Sequence, residues 1–74
     1  MDRNEVGRKI VEVSQVCSEG YMRSFDSHFR TETERAADSA SATAASNTGW
    51  FILEALGFSV EERRALVAEY RKRS

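Results

Sequence analysis

Apolar side chains recur at intervals of three and four from Val6 through Ile10, Val13, Cys17, Tyr21 and Phe25 to Phe29. That spacing draws one stripe down a long helix. Val11, Val16 and Met22 widen the stripe on one side, while Arg8, Glu12, Gln15, Glu19 and Arg23 occupy the polar face. Asp2 or Asn4 can cap the start. Gly7 and Gly20 each cost about 1 kcal/mol relative to alanine inside a helix, and Gly20 marks a candidate kink or a close approach by another backbone.

The pattern changes at residue 30. From Arg30 to Gly49 there is no Val, Ile, Leu, Met, Phe, Trp or Tyr. Such a stretch reads as a linker too poor in apolar area to offset its ordering entropy, or as a helix with a small-residue seam. The helix is favoured, because Ala37, Ala40 and Ala44 continue in phase through Thr48 into Phe51 and Ala55. Thr31 with Glu34 spells a capping box at its start. The alanine seam is expected to meet the bulky side of the first helix. Asn47-Thr48-Gly49 is the expected weak point, where the helix would break or restart.

Trp50-Phe51-Ile52-Leu53-Glu54-Ala55-Leu56 is the densest apolar block, and it runs into Gly57-Phe58-Ser59. Gly57 suits the left-handed residue that ends a helix, with Phe58 following it to touch Leu53. Ser59 with Glu62 forms a second capping box, opening a third helix from about Val60 to Arg71. Val60, Leu66, Val67 and Tyr70 lie on one side of that helix. Arg71-Lys72-Arg73 suits the negative end of its dipole. The corner Leu56-Gly57-Phe58-Ser59-Val60-Glu61-Glu62, with Arg64 and Leu66, resembles a helix–corner–helix piece of MerR-type transcription regulators. The likeness covers about a dozen residues and implies a tight corner only, since that family's winged helix-turn-helix has no counterpart here.

These elements make the fold class all-α: a long antiparallel helical hairpin plus a short C-terminal third helix, one small domain over residues 1–74. There is no proline, and no alternating pattern supports a sheet. A core this small supplies little net stability. Cys17 and His28 are each the sole residue of their type, so neither a disulfide within the chain nor a Cys/His metal site is expected. Pairing with a second copy, or docking on a larger protein, is the expected supplement.

Charge narrows the functional classes. The formal net charge is −1 with both signs interspersed, which disfavours a whole-chain polyanion binder. No apolar run approaches the ~20 residues of a membrane span. The start lacks the basic and apolar segments of a signal peptide, so a cytoplasmic location is expected. Glu61 and Glu62 read as first-turn helix carboxylates, and no nucleotide loop or metal-spaced cluster is present. His28 reads as a surface residue and Cys17 as a small hydrophobe within the stripe. No enzyme, cofactor, metal or small-molecule substrate is therefore expected.

The leading expectation is a non-catalytic protein-interaction module: a small regulator, a phage-type inhibitor or an accessory subunit. Its candidate partner-binding residues are the aromatics Trp50, Phe51, Phe58, Tyr70, Phe25 and Phe29, a residue class favoured as interface anchors. The alternative is a small nucleic-acid-binding regulator using Arg63, Arg64, Arg71, Lys72 and Arg73 behind the Gly57 corner. Glu61, Glu62 and Glu69, interleaved with those cations, weaken it.

Overall fold

The computed structural model describes residues 1–73. It consists of α1 (Arg3–Phe25), α2 (Glu32–Ala55) and α3 (Val60–Arg73), with no strand among the described residues. Each boundary is built by local chemistry. The Asp2 carboxylate accepts the Glu5 N–H at 2.8 Å and starts α1. Thr31 and Glu34 exchange side-chain and backbone hydrogen bonds at 3.1 and 3.2 Å, completing the expected capping box of α2. At the other end Phe58 N–H donates to Leu53 O at 3.0 Å and Gly57 N–H to Glu54 O at 2.9 Å. This is a Schellman stop, with Gly57 at φ +87°. Ser59 and Glu62 then close the second capping box at 2.9 and 3.1 Å.

α1 and α2 form the antiparallel hairpin, and α2 runs through residues 47–49 without a break. The Thr48 hydroxyl turns back onto Ala44 O at 2.7 Å, and Gly49 is buried. Gly49 is there for proximity: a Cβ built on it would lie 2.5 Å from Ser14 Cβ. The buried or half-buried line on α1 runs Gly7, Val11, Ser14 and Ser18, and that on α2 runs Ala42, Ser46, Gly49 and Leu53. The helices meet along the α1 line from Val11 to Ser18, while Gly7 lies against Phe58 and Leu66. Both lines step by four, three and four residues, the spacing of an a/d helical seam.

This seam corrects the expected pairing. Ala37, Ala40 and Ala44 are exposed, as are Val13, Cys17 and Tyr21 from the stripe on α1. Close approach is decided by size along a line, and glycine, serine and Ala42 offer the flatter line. The more apolar stripes are rotated away from it.

α3 folds back over one side of the hairpin. Phe58 and Leu66 join Val11 and Leu53 in the core, and Ile10, Val67 and Tyr70 pack against it. Its polar ties run mainly to α1. Arg3 pairs with Glu62 at 2.7 Å and donates to Gly57 O at 2.8 Å, Arg8 meets Glu69 at 3.2 Å, and the Tyr70 hydroxyl donates to Glu19 at 3.2 Å. Arg3 also lies over the Phe58 ring, 3.9 Å from its centroid. At the far end Asp38 is buried, and Arg30 grips its two carboxylate oxygens at 2.8 and 3.0 Å.

Glu62 makes the fold sensitive to acid. The Arg3 hydrogen bond, helped by the Ser59 backbone N–H, holds its carboxyl down at about 2, against an ordinary 4.5. Glu34 is lowered in the same direction, first by the Thr31 backbone N–H. A depressed folded value means that the contribution is complete above the unfolded value and is lost as pH falls through the folded one. Stability should therefore decline from pH 4.5 towards about 2. Urea denaturation of Glu62→Gln should show a loss near neutrality that shrinks to nothing at the acid end. Equal wild-type and variant midpoints near neutrality would mean that the Arg3–Glu62 tie contributes nothing.

Candidate interaction surfaces

α3 covers only one side of the hairpin. On the other, Ile10, Val13 and Cys17 of α1 face Ala45, Thr48 and Ile52 of α2 across a groove of about 390 Å³. Ser14 and Gly49 lie at its base, Lys9 is the one charged residue lining it, and no residue of α3 reaches it. Val13 is 54% exposed and Ile52 44%. The groove is the direct result of the small-residue seam, which turns the most apolar stripe of α1 outward. Cys17, expected inside that stripe, is exposed here.

A second cleft, of about 630 Å³, opens between α2 and α3. Val11, Gly49 and Leu53 form its floor, Ser46, Asn47 and Trp50 one wall, and Arg64, Val67, Ala68 and Arg71 the other, with Gln15 at one end. Gln15 Nε2 donates to Ser46 Oγ at 3.2 Å.

The six candidate aromatics do not converge. Phe58 is 4% exposed and belongs to the core, so it offers no surface to a partner. Its position after the Schellman glycine aims the ring at Gly7 and Leu66. Tyr70 is half-buried and engaged with Glu19, while Trp50 is half-buried with the Arg63 guanidinium over its ring, 4.6 Å from the centroid. Phe51 is exposed at 60% near the corner end. Phe25 is half-buried at the end of α1, and Phe29 stands in the tip loop at 93% exposure. Phe25 and Phe29 thus lie at the opposite end of the hairpin from Phe51.

The basic residues are likewise divided. Arg63 is buried, donates Nε to Ser59 O at 3.3 Å and approaches Glu54 at 3.5 Å. It is a corner residue, withdrawn from any nucleic-acid surface. Arg73 pairs with Glu69 at 2.7 Å. Arg64 and Arg71 line the cleft, and Lys72 is exposed. His28 is exposed in the tip loop. Among the described residues no group of three or more His, Cys, Asp or Glu side chains is placed to hold a metal ion, and no helix is long and apolar enough to cross a membrane.

Sequence reasoning missed the Arg30–Asp38 clamp, both clefts and the outward turn of the α1 stripe. The readable signal was the matched four-three-four spacing of small residues in the two long helices. Comparison with protein-family models, with curated proteins and with solved structures found no significant match.

Proposed function

We propose that this protein is a non-catalytic interaction module that pairs with itself or with another protein through the uncovered flank of its helical hairpin. The observation that supports this reading is the groove between Val13 and Ile52, where the strongest apolar stripe of α1 is left in solvent. An apolar flank beside small side chains suits a further helix laid along it, the packing that completes a four-helix bundle. The action is bridging or occlusion. The nucleic-acid alternative loses support, because Arg63 and Arg73 are committed within the chain.

Light scattering coupled to gel filtration tests the self-pairing form. The expected result is a mass above the 8.4 kDa of one chain that returns to one chain in Val13→Lys/Ile52→Lys with helicity retained. Labelling of Cys17 should slow as protein concentration rises. A monomer at all concentrations with constant Cys17 reactivity excludes self-pairing. Co-purification of wild type and the double-lysine variant from the native source then tests the partner form. A partner retained equally by both removes the flank from the mechanism.

A further inference from the structure

We infer that the cleft between α2 and α3 is a second docking site, independent of the flank, and that its occupant is an acidic amphipathic helix of a partner protein. α3 is tied to α1 along its length by Glu62, Glu69 and Tyr70, but to α2 by a side-chain ion pair only at Arg63, next to the corner. Past that point the two helices part, leaving the cleft between Trp50 on one side and Val67 and Ala68 on the other.

Charge identifies the occupant. Arg64 and Arg71 both line the cleft, and seven residues of helix place them about 10 Å apart along one side of α3. Among the described residues no carboxylate lies within ion-pair distance of either; Arg23, Arg35 and Lys72 share that state, but of these five cations only Arg64 and Arg71 line the cleft. A helix carrying carboxylates at i and i+7, with apolar residues at i+3 and i+4 between them, repeats that spacing. Its apolar residues would meet Trp50 and Val67, the mode by which amphipathic helices fill grooves. A nucleic acid fits less well. It offers a continuous line of phosphates, while this cleft presents two cations two helical turns apart with the apolar Val67 and Ala68 between them and Trp50 opposite.

The test is a chemical-shift titration of the full chain at low salt. The probe is a synthetic helical peptide with two glutamates seven residues apart flanking two leucines. Its counterpart carries glutamines instead, and a single-stranded oligonucleotide serves as the other polyanion. Saturable shifts at the Trp50 indole N–H, the Gln15 side-chain amide and the backbone of residues 64–71 are expected. Affinity should fall about tenfold with the glutamine peptide, and equally in Arg64→Gln/Arg71→Gln, since two charge-assisted contacts are lost. The variant should keep the wild-type melting curve, both side chains being outside the core. Equal affinity for the two peptides, shifts confined to Val13, Cys17 and Ile52, or no shift at millimolar peptide overturns the proposal. Tighter binding of the oligonucleotide at the same residues overturns it as well and assigns the cleft to nucleic acid.

Discussion

Replacing Phe58 with alanine should cost about 3–5 kcal/mol, the range for deleting a large buried aromatic. Folded domains hold about 5–15 kcal/mol, and one this small sits at the low end. The single change is therefore expected to remove most of the stability. Phe58 is 4% exposed and touches every element. Its backbone N–H closes the stop of α2 on Leu53. Its ring reaches the α1 backbone, where a Cβ on Gly7 would meet Phe58 Cε1 at 2.9 Å and Leu66 Cδ1 at 2.8 Å. The Arg3 guanidinium closes over the ring. Ser59→Ala, one residue along, removes a capping bond and should cost about 0.5–2 kcal/mol. Urea denaturation reads the ordering. A Phe58→Ala loss no larger than that of Ser59→Ala would mean that α3 is held by its cap rather than by the core.

At Gly49 two effects oppose each other, and the geometry decides the sign. Helix propensity alone has Gly49→Ala gaining about 1 kcal/mol. The added methyl, however, would sit 2.5 Å from Ser14 Cβ and closer still to its hydroxyl. Ser14 Cβ is fixed to the α1 backbone, so relief requires the two helices to separate. Overpacking of this kind costs about 1–3 kcal/mol, and net destabilisation is expected, larger for Gly49→Val. Ser14→Gly should restore much of the loss in the double variant, because the clashing atoms are then gone. Gly20→Ala is the control. The nearest atom to its added methyl is Arg23 Nη2 at 3.8 Å, so it should be neutral or gain up to about 1 kcal/mol. Ala40→Leu, on the exposed side, should be nearly silent. If Gly49→Ala raises the denaturation midpoint as Gly20→Ala does, the close seam is wrong.

The contrast between these sites explains what could be read from the chain alone. Gly57, the Ser59–Glu62 box and the Thr31–Glu34 box act within a few residues, so the three helices and their corner were legible from neighbouring residues. The faces were not. α2 carries two lines of small side chains, one through Ala37, Ala40 and Ala44, the other through Ala42, Ser46 and Gly49. Counting apolar residues selects the first. The structure uses the second, because Ser14 and Ser18 on α1 match it in size and spacing, a fact that belongs to the pair of helices and to neither alone. The flank and the α2–α3 cleft were illegible for the same reason. The flank arises where the α1 stripe misses the seam, and the cleft arises where α3 parts from α2. Asp38 gave no hint of burial, since its partner Arg30 lies across the start of the helix rather than one turn away.

The unequal lengths of the helices divide the molecule into a clasped end and a free end. α3 has 14 residues against 23 in α1, about 21 Å against about 34 Å, and its last tie on α1 is Glu19. Beyond that level Gly20–Phe25 and Glu32–Ser41 form a bare two-stranded rod with no buried apolar residue, and the Arg30 fork on Asp38 ties the tip loop to α2 without bridging the two helices. The rod can part from its tip while the cluster around Phe58 stays closed, as weakly packed segments open below the global unfolding free energy. A cut in the backbone between Ser27 and His28 would then leave two pieces still gripping each other at the far end, a hinge pinned at the corner with its jaws toward solvent.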